Sequence, residues 1–274
     1  MRAVEKRLLL ALALLLTLAG GASAQEPMLS IFKENYVAAG VPLNAKPDWD
    51  TNDASFQISV RFNAFPQFEG GKWDIFLGYS QLTVWDAFRP SNPFRSSIYA
   101  PGLYLYRAFG RDAYGVKSDL LIGAEHRSNG FASHDSRSLN FGFVAYTHRF
   151  GGCFTAQAAA RFGVGSIGND ISLEMFDRYQ GYLHFALCLH SRDRRFLASV
   201  SADPLFRGDI PANLGAELAL RLSRTSDWFY LVARYHYGYD ENQLDSATPG
   251  VFLKHMVRFG LAVQPSLLSH KLFF

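Results

Sequence analysis

From residue 56 onward, apolar and polar residues take turns along the chain. Phe56, Ile58, Val60, Phe62 and Ala64 are apolar, while Gln57, Ser59, Arg61 and Asn63 between them are polar. The rhythm returns at Leu214, Ala216, Leu218, Leu220 and Leu222, with Asn213, Glu217 and Arg221 in between. It returns again at Phe229, Leu231, Ala233, Tyr235 and Tyr237, interleaved with Arg234 and His236. A period of two puts the two sets on opposite faces of a strand, which excludes helices over these stretches. Candidate strands lie near 31–40, 56–65, 73–85, 98–108, 116–126, 139–150, 153–164, 178–190, 195–202, 212–223, 226–238 and 251–264.

The connections between these strands are sided. Gly151-Gly152 and Arg224-Thr225 read as tight turns, and about seven residues follow the second strand, whereas long loops are expected around 41–55, 86–97, 127–138, 165–177 and 239–250. A soluble sandwich can alternate too, but its loops have no such asymmetry. Short turns at one end and long loops at the other are the arrangement of an outer-membrane barrel. Only a closed sheet leaves no unpaired backbone in lipid. Tyr and Trp gather near strand ends, as an interfacial girdle requires, and the chain ends in Phe274. The fold predicted is therefore all-β: a transmembrane antiparallel β-barrel of about twelve strands, multi-pass in the outer membrane of a Gram-negative cell.

The first two dozen residues stand apart from this pattern. Arg2, Lys6 and Arg7 precede an apolar run from Leu8 to Leu18, and Ala22-Ser23-Ala24 offers a small-x-small cleavage site. Residues 1–24 are expected to be a signal peptide and 25–274 a single barrel domain. No later apolar run approaches the roughly 20 residues of a membrane helix. The formal net charge of +3 is spread without a basic block, so nucleic acid is not an expected partner. Cys153 shares a strand face with Gln157 and Arg161, and Cys188 with Gln180 and His184. Folding that hairpin brings the cysteines roughly opposite, so a disulfide inside the barrel and two inert thiols are both open readings.

Most of the eight histidines need no functional role; His184, His190 and His236 fall on polar strand faces, where filling a lumen suffices. His126 does not. It ends the apolar face Leu120, Ile122, Ala124, at the long-loop end of its strand. Ser128 has the same parity, and Asn140 on the next strand stands near the matching height. A serine, an imidazole to take its proton and a carboxamide to orient the ring make a nucleophilic set. His-x-Ser recurs by chance, and on spacing alone an interfacial histidine satisfied by loop backbone is the default reading.

The wider sequence favours the chemical reading. His126-Arg127-Ser128-Asn129-Gly130, continuing to Ser136-Arg137-Ser138-Leu139-Asn140, resembles the signature of outer-membrane phospholipase A. Ser91-Asn92-Pro93-Phe94-Arg95 with Tyr99 and Pro101, and Tyr79-x-Gln81 leading to Trp85, match in the same order. The resemblance runs more loosely from about Asn35 to the last strand. It implies a calcium-dependent phospholipase A1/A2 acting on membrane phospholipids as a homodimer. Ser128 would be the nucleophile, His126 the base and Asn140 the orienting residue, with the Gly130 N–H and a calcium-bound water at the oxyanion. The Ser136 hydroxyl, the Phe131 carbonyl and, across the dimer, the Ser91 hydroxyl would hold calcium; Gln81 would sit in the dimer interface. Phe131 replaces the arginine common at its position, where only a carbonyl is required. A lipid A deacylase, whose triad uses a carboxylate, and a narrow porin with no chemistry are the competing readings.

Overall fold

A computed structural model describes residues 28–63, 73–113, 115–132, 136–163, 176–223, 228–239 and 253–263. The expected signal segment, Arg224-Thr225 and Phe274 lie outside the described residues. The strands are β1 (Leu29–Ile31), β2 (Asn35–Pro42), β3 (Asp53–Phe62), β4 (Asp74–Trp85), β5 (Phe94–Asp112), β6 (Gly115–Ser128) and β7 (Ser138–Phe150). They continue as β8 (Phe154–Gly163), β9 (Leu183–His190), β10 (Phe196–Pro204), β11 (Ala212–Arg221), β12 (Phe229–Tyr239) and β13 (Leu253–Val263). From β2 to β13 each strand pairs antiparallel with its neighbour in sequence, and β13 returns to pair with β2. The ring therefore has twelve members, because β1 and β2 both pair with β3.

Alternation is what the ring converts into two surfaces. Leu77, Leu103, Val144, Leu187, Leu218 and Phe259 point outward and are strongly exposed. Such a continuous apolar exterior is stable only against lipid, so the barrel spans a membrane. The residues of opposite parity face in and are paired. Arg161 and His184 both meet Asp203, at 2.6 and 2.9 Å, and Arg258 meets Asp53 at 2.8 Å. An aromatic cluster of Phe32, Phe76, Tyr104, Phe141, Phe143 and Phe176 fills another part of the interior. A polar cavity of about 260 Å³ remains among the charged groups, too crossed by ion pairs to be a wide pore.

The two ends differ as expected. The connections β5–β6, β7–β8 and β9–β10 are short and fall at one end, while β2–β3, β4–β5 and β6–β7 are longer and fall at the other. Gly151 takes φ 63°, a left-handed conformation suited to a tight turn.

Three expectations need correction. The strand placed at 31–40 is broken: five steps from Ile31 to Tyr36 face only three from Val60 to Gln57, so two extra residues fold into the lumen. The strand placed at 178–190 begins at Leu183, and Phe176–Gln180 instead form one π-helical turn that buries Phe176 and Gln180. The cysteines do not face each other. Cys188 is opposite Thr155, whereas the Cys153 carbonyl accepts the His190 N–H at 2.8 Å, two residues further along. Diagonal neighbours in a sheet are about 7–8 Å apart, beyond the usual Cα reach of a disulfide, and both thiols are free.

Candidate active site

The site is built at the long-loop end of β6 and β7. Pairing between them runs without a shift from Ser118–His148 to Ser128–Ser138, which sets His126 directly opposite Asn140. Both belong to the outward parity shared by Ile122 and Ala124 on β6 and by Val144 on β7. The His126 ring nitrogen Nδ1 lies 2.6 Å from Asn140 Oδ1. A carboxamide oxygen only accepts, so Nδ1 carries the proton and Nε2 is left as the basic nitrogen. Ser128 follows on the same face, one pleat nearer the loop, and closes β6. The three residues thus occupy the lipid face at the membrane boundary, outside the barrel.

The loop that follows is drawn shut by Asn129. This buried side chain accepts the Phe131 N–H at 3.3 Å and the Arg137 N–H at 3.1 Å through Oδ1, while the backbone N–H of Asn129 donates to the Arg137 carbonyl at 3.2 Å. Phe131 and the residue next to Ser136 are therefore gathered at one neck. Gly130 sits inside this neck with φ 72°, and a Cβ there would come within 2.7 Å of the Tyr99 ring. Tyr99 itself is the cross-strand partner of Ser128 on β5. Only glycine satisfies both the backbone angle and the contact.

Ser91 is not gathered with these groups. It lies on the neighbouring β4–β5 loop at φ 68°, followed by Asn92 at φ 45°. That loop is firmly held: the Trp85 indole N–H donates to the Asn92 carbonyl at 3.0 Å, and Asp86 binds Arg89 at 3.1 Å and also Arg95. Non-glycine residues at positive φ persist where the surroundings enforce them. Gln81 faces outward on β4 beside Tyr99; the Tyr79 hydroxyl donates to its carbonyl at 3.2 Å and its amide donates to Thr83 Oγ1 at 3.3 Å.

Among the described residues no group of three or more His, Cys, Asp or Glu could hold a metal ion. The oxygens near the loop neck are instead a hydroxyl and a carbonyl, a donor set that suits a hard, weakly held cation such as calcium. Sequence reading missed Asn129 as the clip and Glu125 behind the site. An Asn-Gly pair between strands is a turn signal that could have exposed the first.

A family model described as phospholipase A1 matches residues 28–248. No curated protein sequence matches the chain. The fold is similar to that of outer membrane phospholipase A from Escherichia coli, at TM-score 0.71 and 20% identity, over 89% of this chain and 94% of that one. It is also similar to a Salmonella typhi outer membrane phospholipase dimer with bound calcium, at TM-score 0.70 and 20% identity, over 86% and 92% of the two chains. An asparagine-to-alanine active-site mutant of the Escherichia coli protein gives TM-score 0.70, again at 20% identity and over 89% and 94% of the two chains.

Proposed function

Because this chain belongs to the phospholipase A1 family, we propose that it cleaves acyl esters of glycerophospholipids in the outer leaflet of a Gram-negative outer membrane, with Ser128, His126 and Asn140 as its triad. Export by residues 1–24 is part of the same proposal. The observation that carries it is the 2.6 Å contact between His126 Nδ1 and Asn140 Oδ1 on the lipid face, with Ser128 on that same face. A nucleophile placed there meets the ester at headgroup depth, so the lipid need not leave the bilayer.

The steps follow from the groups present. Ser128 Oγ attacks the ester carbonyl carbon as its proton passes to His126 Nε2. The imidazolium that forms is held by Asn140 through the Nδ1–H bond. Carbonyl oxygen becomes an oxyanion, toward which the Gly130 N–H can donate. Collapse breaks the C–O bond to the lysophospholipid, whose oxygen takes the proton from His126. Water, deprotonated by the same imidazole, then releases the fatty acid and restores Ser128.

The Ser136 hydroxyl and the Phe131 carbonyl, with the partner subunit's Ser91 hydroxyl, would hold calcium. When bound, it supplies positive charge near the developing oxyanion. All three donors are neutral oxygens, which makes the binding weak and water-rich. Sharing the ligands across a homodimer would tie activity to association, with Gln81 in the interface.

The test is fatty acid release from mixed phospholipid–detergent micelles by wild type and Ser128→Ala, with calcium or chelator. Release that needs both calcium and Ser128 is expected. A folded wild-type barrel that releases none at any calcium level would overturn the proposal. The lipid A deacylase reading calls for a carboxylate where Asn140 stands. The porin reading is opposed by the ion pairs that cross the lumen, and planar-bilayer conductance would test it directly.

A further inference from the structure

His126 and Ser128 lie on the outward face of β6, where one hydrogen bond, from His126 Nδ1 to Asn140 Oδ1 at 2.6 Å, ties the imidazole to β7. A catalytic set must nevertheless be held within about 0.5 Å of its productive geometry. Rigidity has to come from the other face of β6. There Glu125 points into the lumen with 3% exposure. One of its oxygens accepts Lys33 Nζ at 2.8 Å and the Tyr104 hydroxyl at 2.6 Å; the other accepts Arg127 Nε at 2.6 Å. The Arg127 guanidinium in turn lies 4.8 Å from the centre of the Phe141 ring on β7.

Lys33 comes from the break between β1 and β2. In an unbroken strand every second residue would face lipid, yet Phe32, Lys33 and Glu34 are all buried, at 3, 3 and 4% exposure. The break is anchored on β3. The Lys33 N–H donates to Ser59 Oγ at 3.0 Å, Asn35 Nδ2 to the Ser59 carbonyl at 3.1 Å, and Gln57 Nε2 to the Glu34 carbonyl at 2.7 Å. From this anchor Phe32 packs on Phe76 and Tyr104, Lys33 reaches Glu125 on β6, and Glu34 accepts Arg234 of β12 at 3.0 Å. Three consecutive residues therefore brace the lumen between two sides of the ring. A bulge interrupts a ladder at some cost, and bulges recur where a side chain must be re-aimed near an active site.

We infer that Lys33 is a positioning residue for hydrolysis: its lumenal ion pair with Glu125 fixes the end of β6 from within, and so fixes His126 and Ser128 on the outside. The inference rests on the triad proposed above. Lys33 touches no substrate; it acts through Glu125 and the backbone.

The experiment compares wild type, Lys33→Met, Glu125→Gln and the double variant Lys33→Met/Glu125→Gln in detergent. Three quantities are measured: thermal unfolding of the barrel, kcat and KM on mixed micelles with calcium, and the rate of covalent labelling of Ser128 by an alkylsulfonyl fluoride. Labelling reads the triad without substrate turnover. Lys33→Met is expected to lower the labelling rate and kcat about tenfold with KM nearly unchanged, the size of effect a sub-ångström misplacement produces. Glu125→Gln strands both Lys33 and Arg127, so the double variant, which strands Arg127 alone, regains part of the thermal stability that Glu125→Gln loses while labelling stays slow. A double variant that recovers rate along with stability would show Lys33 to be structural alone and overturn the inference, as would wild-type labelling in a folded Lys33→Met. Wild-type protein that is not labelled at Ser128 would instead sink the triad itself, and this inference with it.

Discussion

At the long-loop end of β6, His126 and Ser128 look out and Glu125 and Arg127 look in, and the two pairs live in different physical worlds. His126 is exposed and bonds the carboxamide of Asn140 at 2.6 Å. Glu125 is buried and holds three donors, Lys33, Tyr104 and Arg127, each within 2.8 Å. Outside, at the edge of lipid, a polar group can stay partly solvated and remain free to react. Inside, an ionised carboxylate is tolerable only when its lone pairs are filled. Under the proposed function one strand separates reactivity from rigidity by parity alone, and substitutions on the two faces should fail in different ways.

The largest expected effect is on the outer face. His126→Ala should lower the rate by at least roughly a thousandfold, the scale of a lost general base, while the thermal unfolding of the barrel is unchanged. Micelle turnover and calorimetry on the same preparation check both halves. A comparable loss of stability would show that His126 is part of the framework and erase the contrast. On the inner face, Glu125→Ala leaves Lys33 buried without its carboxylate. Breaking such a pair costs about 3–5 kcal/mol, so this variant should unfold at a clearly lower temperature, whatever its rate. If it melts like wild type, the lumenal network is not the source of rigidity.

Gly130→Ala probes the place where the faces meet the loop. A left-handed backbone at φ 72° costs a non-glycine residue about 1–2 kcal/mol, and the new methyl would press on the Tyr99 ring 2.7 Å away. Both displace the N–H proposed for the oxyanion. A loss of roughly tenfold to a hundredfold in kcat is expected, with KM little changed, because the donor is used in the transition state. A change confined to KM would assign Gly130 to lipid binding instead.

These contrasts also show which parts of the molecule the sequence made legible. Parity was readable because it is a local property: Leu120, Ile122 and Ala124 set the outward face of β6, and His126 continues it to the strand end opposite Asn140. The ring of twelve followed from the same rhythm and from the sidedness of the loops. The break at Phe32–Lys33–Glu34 left one local mark, the run Lys33-Glu34-Asn35 that interrupts the alternation, but what it braces was not readable. Its partners Ser59, Glu125 and Arg234 are 26 to 200 residues away. The π-helical turn at Phe176–Gln180 was hidden for a similar reason: Phe176 is held by the Phe141 ring of β7 at 5.4 Å, a contact 35 residues away in sequence. Cys153 and Cys188 were placed on the correct inward face but two residues out of step, an offset set by how the strands pair rather than by parity. Of the candidate site, His126, Ser128 and Asn140 were visible, while Asn129, which closes the loop neck, and Glu125, buried behind them, were not.

The smallest expected effect concerns Gln81, a polar residue on the outer face that the catalytic contrast does not explain. It stands among exposed Leu77, Tyr79 and Leu103, where an amide without partners would be costly in lipid. Tyr79 and Thr83 meet part of that demand through long bonds of 3.2 and 3.3 Å, and Thr83 is linked to Ser97 at 2.9 Å. A primary amide can form about four hydrogen bonds, so capacity is left for a second copy of the chain. Hydrogen bonds between segments in membranes average about 0.6 kcal/mol, and a symmetric pair contributes twice. Gln81→Ala should therefore weaken dimerisation by less than about tenfold, with the unfolding temperature of the monomer unchanged. Sedimentation equilibrium in calcium-containing detergent reads the shift. An unaltered dimer constant would mean that Tyr79 and Thr83 satisfy Gln81 completely, and that the strip serves the fold of one barrel rather than the contact between two.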